Sequence, residues 1–203
     1  VNVYVETNFV LELVFLQEQS AHCESILGQC DGRRHRLVIP AYCLAEPNEK
    51  LHRQARSRTE LQRTLESELR QLARSYSYRV RIDNIQDIAS LLIQSNEEER
   101  RRFDLYRRRL LDIAEIVPLT AEILQQAALH EISHQLAPQD ALVYASVMNH
   151  LSRSASPQNC FLNRNSRDFD SPDIVDELAR YNCRMIPRFD DGDRYIHSSH
   201  SDE

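Results

Sequence analysis

Glycine is scarce: the 203 residues contain only Gly28, Gly32 and Gly192. Neither a GxGxxG nor a GxxxxGKS/T pattern can be assembled from them. That excludes a dinucleotide fingerprint and a Walker phosphate loop, which need glycine to bring backbone N–H groups onto phosphate. Lysine is scarcer still, since every basic residue except Lys50 is arginine. The five cysteines, Cys23, Cys30, Cys43, Cys160 and Cys183, are odd in number and form no CxxC pair. They read as reduced, mostly buried thiols of a cytoplasmic protein, and no local signature marks one as a nucleophile. Glu6 and Glu12 break the apolar N-terminal stretch and no basic leader precedes it, so neither a signal peptide nor a membrane span is expected.

What is present fits one helix-rich α/β domain with an insertion. Charged residues make up 28% of the chain, hydrophobic ones 41%, and the mean hydropathy is -0.54. The net charge of -6 is unevenly spread. Residues 50–109 carry fifteen basic side chains against nine acidic ones, which leaves the remainder strongly acidic. Arginine presents a planar fork suited to phosphate, so this segment is a candidate footprint for RNA. The competing reading is a solvated helix face with Arg–Glu pairs.

The plan of the chain starts at Val1-Asn2-Val3-Tyr4-Val5-Glu6-Thr7-Asn8. Valines at period two predict a strand. Thr7 and Asn8 are good helix caps, and the apolar run from Phe9 predicts a buried helix. Glu6 therefore sits where a strand ends and a helix begins, the edge at which open α/β sheets bind ligands. Helices are expected over about 8–19 and 21–30, and Leu37-Val38-Ile39 reads as a second strand. Pro40 opens a helix that Pro47 should kink or interrupt, with Glu46 about two turns in. From 48 to 117 the periodicity is wholly helical, with joints near 77–83 and 94–98, which suggests an inserted arm. Thr120 caps a helix running to about His134, and Pro138-Gln139-Asp140 opens another through Leu151. Asn159 to Leu162 and Cys183 to Ile186 read as strands, separated by a polar loop and a helix from Pro172 to Tyr181. Residues 189–203 are polar and acidic and read as a disordered tail.

Glu6, Glu46, Asp140 and Asp168 can all reach the carboxyl edge of one parallel sheet. Carboxylates gathered there repel one another unless a cation is present, and hard oxygen ligands select Mg²⁺ or Mn²⁺. Four segments carry a resemblance: Val3-Tyr4-Val5-Glu6-Thr7-Asn8, Ile39-Pro40 with Glu46, Gln139-Asp140-Ala141-Leu142-Val143-Tyr144-Ala145, and Phe161-Leu162-Asn163-Arg164-Asn165-Ser166-Arg167-Asp168-Phe169. In this order and spacing they resemble a PIN-domain ribonuclease over about 1–48 and 118–187. The resemblance implies a three-layer α/β/α fold with a central parallel sheet, spanning 1–188 and carrying a helical insertion at about 50–117. It implies hydrolysis of RNA phosphodiesters by a metal-binding acidic cluster, leaving a 5′-phosphate and a 3′-hydroxyl. The catalytic set would be Glu6, Glu46, Asp140 and Asp168, with Asn165 as a further metal ligand and Thr7 and Asn8 orienting water or phosphate. Two positions depart from the family pattern: Glu6 stands where Asp is usual, and Asn165 where an acidic residue is usual, with Asp168 and Asp170 following it.

The expected function is a cytoplasmic Mg²⁺- or Mn²⁺-dependent endoribonuclease acting on single-stranded RNA, in the manner of a toxin held by an antitoxin, with a homo-oligomer as a further expectation. Arg101, Arg102, Arg108, Arg109 and Arg164 are the candidate RNA contacts. One alternative is a weak or inactive scaffold of the same fold that binds RNA. Another comes from His130-Glu131-Ile132-Ser133-His134, which satisfies HExxH and would place two imidazoles on one helix face as zinc ligands of a protease. That pattern is short, its metzincin extension fails at Ala137 and Asp140, His150 is the only nearby spare ligand, and the next glutamate is Glu177.

Overall fold

The computed structural model describes residues 1–165, 169 and 171–198, except for the side chains of 79–87 and 89. Five parallel strands form one sheet: β1 (Asn2–Val5), β2 (Arg36–Pro40), β3 (Glu115–Val117), β4 (Asn159–Leu162) and β5 (Cys183–Ile186). Their order is β3-β2-β1-β4-β5. Val3 registers with Leu37 on one side and Cys160 on the other. The chain winds outward from β1 in one direction and then returns to start again at β4, so the winding reverses beside β1. A crevice is expected at the carboxyl edge there.

Val3, Tyr4, Val5 and the whole of β4 are buried. β1 and β4 at the centre are covered on both faces, while the edge strands β3 and β5 are partly exposed, and the period-two reading of β1 does not separate an inner from an outer face. The helices are α1 (Thr7–Phe15), α2 (Ser20–Asp31), α3 (Ala41–Leu72), α4 (Tyr76–Ile113), α5 (Ala121–Ser133), α6 (Pro138–Leu151), α7 (Pro172–Ala179) and α8 (Phe189–Ser198). With the sheet they make the three-layer α/β/α arrangement expected from the sequence.

Four expectations need correction. Glu6, not Thr7 or Asn8, caps α1: its carboxylate accepts from the Asn8 N–H at 2.7 Å. Pro47 does not interrupt its helix, because α3 runs on to Leu72 with Pro47 buried inside it. Proline early in a helix forgoes one N–H bond and is carried by its packing. The arm is a hairpin of two long helices turning at 73–75, and the expected joints near 77–83 and 94–98 fall within α4. Residues 115–117, read as the end of a helix, are β3.

The tail reading also fails over 189–198, which form α8. The Gln19 side-chain carbonyl accepts from the Phe189 N–H at 2.6 Å, which satisfies one donor at the helix start. Phe189 packs edge-on to Phe9, and Ile196 is buried. Buried Asp193 accepts from Ser25 at 2.8 Å and from Gln29 at 3.2 Å. Polar composition misled here because the acidic residues are exposed or hydrogen-bonded while two apolar residues seven apart reach the core.

The arm is fixed to the body at its base. Arg58 forms a bidentate pair with buried Glu99, at 2.7 and 3.0 Å, which ties α3 to α4. Arg102 donates to the Val14 carbonyl at 2.7 Å, and Arg109 to Glu24 at 2.6 Å. Tyr106 also donates to Glu24.

Candidate active site

Glu6, Glu46 and Asp140 line one cavity of about 350 Å³, together with Thr7, Asn8, Asn163 and Asn165. Each carboxylate arrives on a different element. Glu6 follows β1 as the cap of α1, Glu46 lies two turns into α3, and Asp140 is in the first turn of α6, where the helix dipole favours a negative charge. The cavity thus occupies the carboxyl edge of β1, β2 and β4, the place the winding selects.

The side chains are held by local hydrogen bonds. Glu6 is 6% exposed. One carboxylate oxygen accepts from the Asn8 N–H at 2.7 Å and the other from the Arg164 N–H at 3.3 Å. Burial nevertheless pushes its pKa from 4.5 up to about 7, and the charge of Asp140 adds to the rise. Thr7 donates its hydroxyl to Glu46. Asn165 donates its side-chain amide to Asp140 at 3.1 Å, and its own N–H goes to Asn163 Oδ1 at 2.8 Å. The buried Asn163 Nδ2 has no hydrogen-bond partner among the described residues. Asp168 and Asp170 lie outside the described residues, so three of the four expected catalytic carboxylates are seen to converge. Phe169, just beyond Asp168, lines the same cavity.

The arginines chosen from the sequence are placed elsewhere. None of Arg101, Arg102, Arg108, Arg109 and Arg164 lines the cavity. Arg102 and Arg109 anchor α4, exposed Arg101 stands 3.5 Å from Glu97, and Arg108 is exposed. Arg164 pairs with Glu12, a carboxylate with 0% side-chain exposure, and reaches Glu18 at 3.4 Å. Its backbone N–H meanwhile holds Glu6. Arg164 therefore ties the loop after β4 to α1.

The cations that do line the cavity are Lys50 and Arg53. They follow Glu46 on α3 by four and seven residues, so all three share one helix face. Glu49, Gln139 and Tyr42 complete the wall, and burial raises Tyr42 to about 12. The sequence held the signal for Lys50 and Arg53 in their spacing from Glu46, which the denser arginine triplets further along the arm obscured.

The family model for the PIN domain matches residues 3–169. The chain belongs to the PIN-domain family. Members of that family are typically metal-dependent nucleases, and the match takes in the three converging carboxylates and the position of Asp168. No curated protein and no solved structure matches the chain. Among the described residues, no helix of this PIN domain is long and apolar enough to cross a membrane.

His130 and His134, the imidazoles of the HExxH pattern, do not line this cavity and instead group with Glu177 of α7. His150 is not their third partner. Its Nδ1 meets the Tyr4 hydroxyl at 2.8 Å and its Nε2 stands 3.1 Å from Glu115.

Proposed function

We propose that this PIN domain is a Mg²⁺- or Mn²⁺-dependent endoribonuclease that hydrolyses phosphodiesters of single-stranded RNA. The observation that carries the reading is the convergence of Glu6, Glu46 and Asp140, from three elements, on one cavity at the sheet's carboxyl edge. The donor set fits such an ion: carboxylates and a carboxamide are hard oxygen ligands, and a buried Glu6 gains from a cation beside it. Glu6, Glu46 and Asp140 would hold it, with Asn165 and Asp168 as further ligands from the loop after β4. When bound, the ion lowers the pKa of a water and neutralises charge on the phosphate oxygens.

The chain's own groups have separate tasks. Thr7 orients Glu46, and Asn165 orients Asp140. Lys50 and Arg53 offset the acidic wall and supply cations for the phosphates flanking the scissile bond. Asn163 offers a buried donor at the cavity. The biological setting that goes with this reading is a cytoplasmic toxin restrained by an antitoxin protein.

A second reading, an RNA-binding scaffold without cleavage, is favoured by one feature. Both Glu6 oxygens already accept backbone N–H bonds, as a helix cap would. Asp140→Asn separates the two, since it removes one charge at nearly constant volume. Calorimetry of Mn²⁺ binding should show weaker affinity in the variant, and RNA cleavage should be lost while circular dichroism is unchanged. Equal Mn²⁺ affinity in both proteins removes the assignment. RNA binding without cleavage by the wild type establishes the scaffold.

A further inference from the structure

We propose that His130, His134 and Glu177 form a second metal site, separate from the carboxylate cavity, that takes a borderline transition ion such as Zn²⁺. One ligand atom from each residue lies within 4.8 Å of the others. The two histidines are four apart on α5, so their rings lie on one face and stack with centroids 5.3 Å apart. Glu177 comes from α7, more than forty residues further along the chain. His134 Nε2 stands 3.5 Å from Glu177 Oε2. That is long for an N–H···O bond. It is close to the separation of about 3.4 Å between two ligands on one tetrahedral ion with bonds near 2.1 Å.

His134 is buried at this site. Its side chain is 7% exposed, and Nε2, the nitrogen 3.5 Å from Glu177, is the ligand atom. Tyr144 supplies the supporting contacts. Its hydroxyl donates to Glu177 Oε2 at 2.7 Å, and its ring meets both imidazoles, with centroids 4.8 and 5.6 Å away. Such an outer partner fixes a carboxylate ligand's orientation.

Ligand chemistry separates the two sites. Imidazole with one carboxylate suits Zn²⁺, whereas the all-oxygen cavity suits Mg²⁺ or Mn²⁺. Glu131, the base of the HExxH pattern, is exposed on α5, and the site is proposed for binding alone. The ion would fasten α5 to α7 across Tyr144. That tyrosine lies one turn along α6 from Asp140 and packs edge-on to Phe169, which lines the catalytic cavity.

The test is calorimetric titration of the full, metal-free chain with Zn²⁺ in excess Mg²⁺, paired with thermal unfolding. One equivalent should bind to wild type and to Asp140→Asn and raise the Tm of both. Binding and the Tm rise should be lost in His134→Gln and in Glu177→Gln. Glu177→Gln keeps an acceptor for Tyr144 and decides the matter if His134→Gln does not fold. No Zn²⁺ binding by wild type overturns the proposal, as does binding lost in Asp140→Asn but kept in Glu177→Gln, which would put the ion in the carboxylate cavity.

Discussion

Replacing Glu6 by Gln should make the metal-free protein more stable at high pH and leave it nearly unchanged at low pH. Burial raises the Glu6 pKa from 4.5 in the unfolded chain to about 7 in the fold. The folded state therefore holds this proton more firmly than the unfolded state. The stability linked to it is fully present below about pH 4.5, falls as pH rises, and is gone above about pH 7. At 1.36 kcal/mol per pH unit, the displacement amounts to about 3 kcal/mol. Glu6 is 6% exposed, so solvent screening takes little from that figure. Gln resembles the protonated acid in shape and in offering a single good acceptor oxygen. The variant should thus match wild type at about pH 4.5 and exceed it by up to about 3 kcal/mol at about pH 8. Urea unfolding with a chelator present measures both, and groups common to the two proteins cancel in the difference. Saturating Mn²⁺, at about a hundred times its Kd, should return about 2.7 kcal/mol to wild type and less to the variant. An identical stability difference at both pH values would refute the burial argument.

Three further outcomes are expected. Lys50→Gln with Arg53→Gln should weaken RNA binding and flatten its salt dependence by about 1.4 log units per tenfold salt, about 0.7 for each phosphate that no longer meets a cation; filter binding across a salt series checks it against the same change at Arg101 and Arg108. Arg164→Ala leaves the fully buried Glu12 without its cation and should cost about 3–5 kcal/mol in urea unfolding, much of it recovered when Glu12→Leu is added. Gly192→Ala would bring a Cβ to 2.7 Å from Leu162 Cδ2 at a fully buried position, so thermal unfolding should show about 1–3 kcal/mol of destabilisation.

Much of the sheet was legible because each buried parallel strand is a short run of apolar residues bounded by turn or cap residues. β3 escaped because Ile113 and Val117 are four apart and continue the helical phase of the arm. At three residues, the strand is too short to establish its own period. Glu6, Glu46 and Asp140 were legible as a set because each sits at or near the start of a helix that follows, or covers, a strand end. Lys50 and Arg53 were hidden in a charge-rich stretch whose most conspicuous features are the triplets at 100–102 and 107–109, although docking against the body engages Arg102 and Arg109. Glu177 was legible as the next glutamate after the HExxH pattern, but its spacing alone did not make it a partner, since the contact of α7 with Tyr144 of α6 is what brings it to the histidines. The role of Arg164 was equally invisible, because its partner Glu12 lies on α1, 152 residues away.

The continuity of α3 changes what the arm can do. If Pro47 ended the helix, Glu46 would sit on a short stub and the arm would be hinged to it. Instead Glu46, Lys50 and Arg53 occupy one face of a single rod that runs to Leu72. A proline at this point removes the hydrogen bond to the Cys43 carbonyl, but Pro47, Cys43 and Leu44 are buried and packing fixes the segment. The returning helix is locked at its base by Arg58 to Glu99, Arg102 to Val14 and Arg109 to Glu24. Turning the base of the arm would therefore move the carboxylate Glu46 together with the two cavity cations. Under the proposed function, RNA that followed this face toward the body would meet Arg53 and Lys50 before Glu46. Breaking Arg58 to Glu99 should consequently alter Mn²⁺ affinity as well as RNA affinity, an effect that a hinged arm would not transmit.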